Sequence, residues 1–256
     1  MATYLVIDVS KYQGKIDWKK VKATGVYGVI IRCAYRGYAS AGTIVTDPYF
    51  FEYVKGCNDN GIAWGVYFFS QAKDATEGIQ EAEYTLNLLN QVKPALPSFP
   101  VYIDSEYGNH GFGRADRISK KDRTSAVKAF CDRVEKAGYF SGIYASTTWF
   151  TDKLNDAELL NYSHWVADYR GYCGYKKSYG MWQYSSSGTI DGISGRVDMN
   201  KCYTGFPTVI KTKGFNGYNK TETPVVKTFS VKATGGDIDR FVNLAKELQI
   251  KDYTVE

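Results

Sequence analysis

The residues of this chain best suited to chemistry are carboxylates that end short apolar runs. Asp8 follows LVI, Asp104 and Glu106 end PVYIDSE, and Asp198 ends GRVD. In extended backbone, residues i and i+2 point to the same side with Cα atoms roughly 6.5 Å apart. The spacing Asp104-Ser105-Glu106 therefore lets two carboxyl groups face one bond. Glycosidic cleavage needs such a pair: one carboxylic acid protonates the leaving oxygen, and one carboxylate stabilises or traps the oxocarbenium-like centre. An acid working near neutral pH must hold its proton above the ordinary glutamate range. Neighbouring negative charge and a partly dry cleft push it there. Glu106 is the expected acid, because Asp104, Asp8 and Asp198 each disfavour its ionisation.

These four residues meet only if the runs that carry them end at one mouth. Apolar or β-branched runs at 4–9, 27–34, 62–69, 100–103, 141–145, 164–167, 180–184 and 195–198 predict eight strands. Helix-like stretches at 17–23, 47–60, 74–92, 120–137 and 152–160 alternate with them. Ile79, Ala82, Leu86 and Leu89 recur at helical spacing, as do Ala126, Val127, Phe130 and Val134. Asp47, Asp74 and Ser119 sit where N-caps belong, and Gly61 and Gly138 just past C-termini. The alternation predicts an α/β fold with a mostly parallel sheet closed into an eight-stranded barrel with about five helices. In a parallel barrel the working residues lie at the C-terminal strand ends, where these carboxylates fall. An isolated strand-terminal Asp more often caps a helix or turn, so it is the four together that carry the reading.

The barrel is assigned to residues 1–205, a polar Gly/Thr/Lys/Asn-rich linker to 206–224, and a small βαβ-like module to 225–256. In that module VVKTFSVKA and KDYTVE read as strands and Asp237 to Leu248 as a helix. So short a piece buries little core alone, and wall binding or self-association are its expected roles.

Composition narrows the function. With 44% hydrophobic and 23% charged residues, the 256-residue chain is neither disordered nor fibrous. No window approaches the ~18 consecutive apolar residues of a spanning helix, so no membrane insertion is expected. The net charge of +5 suits an anionic polymer, but without a dense Lys/Arg run nucleic acid is not an expected partner. The first run, TYLVIDVS, already contains an Asp and lacks signal-peptide features. The expectation is a protein made in the cytoplasm without a leader and acting after release. Five widely spaced cysteines and two histidines provide no zinc-site pattern; most of the cysteines are expected reduced and buried, and no metal or cofactor is expected.

His110 belongs to a Gly-rich loop, His164 is expected to be structural, and Ser-His-Asp, H-E-x-x-H and phosphate-loop patterns are missing. Tyr67, Tyr144 and Trp182 end apolar runs and could either pack in the core or stack on sugar rings, with the Gln183 amide nearby as a hydrogen-bonding partner. Two other readings of the carboxylates stay open: ligands for a divalent cation in a phosphodiesterase, or part of a non-catalytic wall-binding module.

The segments LVIDVSKYQGKIDW, WGVYFFSQAKDATEGIQEA, PVYIDSE, GIYAST, WVADY, MWQYS and GRVDMN, in this order over residues 4 to about 203, resemble glycoside hydrolase family 25. That resemblance implies a flattened β/α barrel and a lysozyme cleaving the β-1,4 bond between N-acetylmuramic acid and N-acetylglucosamine in bacterial peptidoglycan. It implies Glu106 as general acid/base and Asp104 as nucleophile or as the group that orients the substrate's acetamido group. Asp8 and Asp198 then position the sugar and tune the pair. The resemblance also draws Tyr67, Tyr144, Trp182 and Gln183 toward the substrate. Asp168, in WVADY, departs from the family's pattern by adding a carboxylate, and is placed with the substrate-binding set. The tail from Val225 matches no familiar wall-binding repeat. With no leader in view, the resemblance suggests a phage endolysin.

Overall fold

In the computed structural model of the protein, residues 2–108, 111–220 and 236–247 are described. Among the described residues there are nine strands: β1 (Tyr4–Val9), β2 (Gly28–Arg36), β3 (Ile44–Thr46), β4 (Ala63–Phe69), β5 (Val101–Asp104), β6 (Ser141–Ser146), β7 (Ser163–Ala167), β8 (Met181–Gly188) and β9 (Val197–Cys202). The order is β1-β9-β8-β7-β6-β5-β4-β2, and β1 also pairs with β2, so eight strands close a barrel. The ninth, β3, continues along the same edge of β2 beyond β1: β1 pairs with residues 28–31 of β2, and β3 with residues 34–36.

Neighbouring strands from β1 through β2 and β4 to β8 are parallel, but β9 is antiparallel to both β8 and β1. Asp198 therefore stands near the start of its strand, not at its end as the run GRVD suggests. The reversal of direction still brings it to the mouth where the parallel strands finish.

Five helices accompany the barrel strands: α1 (Trp18–Ala23), α2 (Phe50–Asp59), α3 (Ala75–Gln91), α4 (Lys120–Lys136) and α5 (Thr147–Asp152). Asp74 and Ser119 cap α3 and α4 as expected, each accepting a backbone N–H three residues on. Asp47 does not cap α2, which starts from Tyr49; its carboxylate is used elsewhere. The helix expected at 152–160 forms earlier, because Ser146 caps the chain directly after β6, and only a short 3-10 turn follows at 156–158. Helices α3 and α4 pack so closely that a Cβ on Gly78 would lie 2.2 Å from the Ala126 carbonyl oxygen. Loops without α-helices join β7, β8 and β9.

The core has two layers, as strand alternation requires. Val6, Ile30, Tyr102, Tyr144, Trp165, Met181 and Cys202 fill the barrel interior. Ile7, Ile31, Val66, Ile103, Ile143 and Val166 face outward into the layer they share with Val54, Leu86 and Phe130 of the helices.

Of the expected linker at 206–224, the described part, residues 206–220, is instead structured. Residues 206–213 form α6 (Phe206–Lys213), with Pro207 in its first turn and Gly214 closing it at φ 74°. Phe206, Ile210, Phe215 and Tyr218 pack with Phe99 and Phe140 of the barrel. Fully buried Asn216, at φ 58°, donates to the carbonyls of Pro97 and Phe99 and accepts from Phe140 N. Apolar residues hidden in a polar composition set this boundary. The chain divides into compact units 1–221 and 222–256. Of the second, helix α7 (Gly236–Glu247) is described, and the two expected strands lie outside the described residues. All five cysteines are free, four of them buried.

Candidate active site

Asp104 is the last residue of β5, and the chain beyond it stays pinned from both sides. Ser70 N donates to Asp104 O at 2.9 Å from the β4 end, and Ser105 N donates to Tyr144 O at 3.0 Å on β6. Ser105 points outward, where its Oγ accepts from Trp149 Nε1 of α5 at 3.0 Å. Anchoring the middle residue of the triplet outward turns Asp104 and Glu106 together toward the mouth. Asp104 is buried and its Oδ1 accepts no hydrogen bond from the protein. Glu106 is half-buried. Burial, and next the charge of Asp198, push Glu106 from 4.5 up to about 7. Asp104 is likewise raised, by burial first and then by Glu106 and Asp8, with Arg32 opposing.

Asp8 and Asp198 are direct partners across the antiparallel β1–β9 seam, so both side chains project from one face. Burial above all raises both, and the charge of Asp198 adds to the rise of Asp8. Asp8 Oδ2 accepts from Gln183 Nε2 and from Asn200 Nδ2, each at 2.9 Å. Gln183 Oε1 accepts in turn from Tyr144 at 2.8 Å and from the Tyr169 hydroxyl, while Asn200 Oδ1 accepts from Trp165 Nε1 at 2.7 Å. Each polar atom of both amides thus makes at least one hydrogen bond, with Asn200 Nδ2 also donating to Val6 O at 3.2 Å, and the two together hold Asp8 in place. The arrangement places a carboxyl that keeps about half of its protons at pH 7 beside a second carboxyl on the same side, the kind of pair glycosidic cleavage uses.

With this geometry, the decisive comparison is with known families: the model described as glycosyl hydrolases family 25 matches residues 7–193. The chain belongs to that family. The autolytic lysozyme of Clostridium acetobutylicum is 28% identical to this hydrolase over 255 residues, 96% of this chain and 71% of that one. The modular autolysin LytC of Streptococcus pneumoniae, solved with a synthetic peptidoglycan ligand, superposes with a TM-score of 0.69 at 29% identity. That match covers 78% of this chain but only 47% of LytC, so the chain spans less than half of that relative's length. The CTP1L endolysin superposes at 0.65 with 25% identity, over 82% of this chain and 70% of its own.

In this family 25 hydrolase the remaining expected site residues separate into two groups. Tyr67 and Tyr144 face the interior: Tyr67 is raised by burial and next influenced by Arg32, Asp8, Asp104 and Asp198, and Tyr144 lies opposite Asp104 in the β5–β6 register. Gln183 joins them through Asp8. Trp182, adjacent to Gln183 on β8, points to the opposite, outer face, where Lys201 Nζ lies 5.1 Å from its ring and its Nε1 donates to Asp168 O. Asp168 is also set apart. Its buried carboxylate accepts from Arg170 Nε and Nη2 at 2.7 and 2.6 Å, Thr147 Oγ1 at 2.8 Å and Gly174 N at 2.9 Å. Arg170 above all holds it well below the usual carboxylate range, so it serves as the knot of the loop after β7. His164 is buried between Tyr162 O and Asp156, as a structural residue; His110 lies outside the described residues.

Three participants escaped sequence reasoning. Asn200 stands two residues beyond Asp198 on the same strand face, which alternation alone could have shown. Tyr169 leaves its ring half-exposed while its hydroxyl reaches Gln183. Arg32, buried on β2, pairs with Asp47 at 2.7 Å between the rings of Tyr12 and Tyr35 and is the cation that opposes the rise of Asp104.

Proposed function

We propose that this hydrolase is a lysozyme that cleaves the β-1,4 bond between N-acetylmuramic acid and N-acetylglucosamine in peptidoglycan. The observation that carries the reading is Glu106, half-buried at a strand end and raised to about 7, with Asp104 turned to the same side. A carboxyl titrating at 7 is about half protonated at pH 7, whereas one at 4.5 keeps about 0.3% of its protons, too few for an efficient acid. Glu106 protonates the leaving oxygen. Asp104 attacks the anomeric carbon, or orients the acetamido group that does so, and its unpaired Oδ1 is available for either role. Glu106, now a carboxylate, takes a proton from the water that completes hydrolysis. The lysozyme and peptidoglycan named for the relatives support this substrate.

The test incubates wild type and Glu106→Gln with peptidoglycan, with and without EDTA, and reads the new reducing ends by mass spectrometry. New muramic-acid ends, lost in Glu106→Gln and indifferent to chelator, are expected. No new ends would favour a binding module, and loss with EDTA a carboxylate-held cation. We further propose that the enzyme acts on the wall after release, in the manner of an endolysin, and that residues 222–256 aid wall binding or self-association. Unchanged wall affinity and oligomeric state after their deletion would reject that role.

A further inference from the structure

The chain leaving Glu106 passes through Gly108 and residues 111–118 before entering α4, and this stretch is tied down unusually far from the carboxylates. Arg114 Nη1 and Nη2 donate to Glu77 Oε2 and Oε1 at 2.6 and 2.8 Å, a two-pronged pair reaching the first turn of α3. Nη1 also donates to Gln71 O at 2.9 Å, beyond the end of β4. Gln71 Oε1 accepts from Ala115 N at 3.3 Å, and Arg114 N donates to Tyr38 O at 3.1 Å. From there Asp116 carries the restraint back toward the site, accepting from Gly113 N at 2.7 Å and Gly108 N at 2.9 Å, two residues from Glu106.

The surroundings are cut to fit this tie. A Cβ on Gly42 would lie 2.6 Å from the Arg114 guanidinium, one on Gly108 2.7 Å from the Gln71 amide, and one on Gly113 2.4 Å from Gln71 Oε1. Three glycines from two loops leave room for two side chains. Nor is the pair a surface ornament: the side chain of Arg114 is 6% exposed and that of Glu77 18%. Glu77 is further fixed by Lys73 N at 2.8 Å. The Arg114 hydrogen bonds pull Glu77 down to about 2, so the pair stays charged wherever the enzyme is folded.

We propose that Arg114 and Glu77 are positioning residues: a clamp between α3 and the chain after β5 that sets the placement and the dryness of Glu106. The proposal rests on Glu106 being the acid. With the clamp released, Gly108 and its neighbours gain freedom, water reaches Glu106, and the burial that chiefly raises it declines. The groups facing Glu106 are Asp104 on β5, Asp198 on β9, and the hydroxyls of Tyr38, Tyr144 and Tyr169. None of them is removed by altering the clamp.

The experiment compares wild type, Glu77→Gln, Arg114→Lys, the double variant and Glu106→Gln on soluble peptidoglycan fragments from pH 4 to 9, with thermal melting alongside. Arg133→Ala, which breaks the half-exposed Arg133–Glu83 pair, is the control and keeps wild-type kinetics. The clamp variants are expected to lose about 10- to 100-fold in kcat with KM little changed. Their alkaline limb should move from near pH 7 toward 4.5, and the double variant should be no worse than the worse single one. Glu77→Gln is isosteric and keeps an acceptor, so it folds even where Arg114→Lys does not. Melting temperatures that fall while kcat and the alkaline limb stay put would overturn the clamp and leave a stability role only. Activity surviving in Glu106→Gln would instead overturn the underlying assignment of the acid, a separate and recognisable failure.

Discussion

Replacing Asp198 by Asn tests how Glu106 is held protonated. Two causes lift Glu106 from 4.5 to about 7, burial first and the Asp198 charge second. The smaller of two contributions supplies no more than half of that rise, so the neutral amide should lower the titration by at most about 1.2, to roughly pH 6. The general acid must carry its proton, so activity falls as pH rises through its titration. Lowering that titration moves the alkaline limb to lower pH. At pH 7 the protonated fraction then drops from about one half toward about one tenth, at most about a fivefold loss beyond whatever the substitution costs at the acidic plateau. Reducing-end release from soluble peptidoglycan, followed as kcat/KM from pH 4 to 9, separates the two effects. An alkaline limb that stays in place, or moves upward, would refute the claim that the charge across the seam sustains the acid.

The same electrostatics makes the site a burden on the fold. Asp104 is raised in the folded state by burial and by Glu106 and Asp8, so its contribution is full below its unfolded titration and is lost as pH climbs through the raised one. Asp104→Asn should therefore gain about 1–2 kcal/mol and melt some 2–6 °C higher at pH 8, a gain that vanishes near pH 4 in calorimetry. Asn216→Ala removes three side-chain hydrogen bonds and places at φ 58° a residue that tolerates the left-handed region less well than Asn, and should cost about 4 kcal/mol by urea unfolding. Asn216→Gly should cost about 1 kcal/mol less, because it relieves the backbone but not the lost bonds. A chain ended after residue 220 should keep the barrel's melting transition, whereas one ended after 205 should lose it, since it lacks buried Phe206 and Ile210.

Most of this architecture was readable because strands such as β4 and β5 are apolar on both faces, inward to the packed interior and outward to the helices, and appear as apolar runs ended by a polar residue. What resisted reading lacked that contrast. β3 is three residues long, half-exposed in part, and held by an edge pairing. α6 hides two buried residues four apart, Phe206 and Ile210, among threonines and lysines, although Pro207 and Gly214 mark its ends. The direction of β9 leaves no trace in composition. The convergence of the four carboxylates on one mouth was legible from where their runs end, whereas their roles remain a proposal. Trp182 was misjudged because facing follows strand register: its neighbour Gln183 holds Asp8, so Trp182 must turn away. Asp168 was misjudged because a carboxylate's partners depend on loop geometry, here Arg170 and Thr147, which no spacing rule encodes.

Asp8 is bound by Asn200, 192 residues further along the chain, and faces Asp198 on the same late strand. Two of the four carboxylates of the candidate site therefore come from the first and last strands of the barrel. During synthesis the early strands emerge with an incomplete set of carboxylates and an unpaired edge on β1. Only when β9 leaves the ribosome and docks between β1 and β8 are the charges that sustain the acid assembled. Such long-range closure is slow to form and all-or-none in its effect. Copies made without β9 would lack both the Asp198 charge and the closed barrel that buries Glu106, so the proposed acid depends on the last strand being in place.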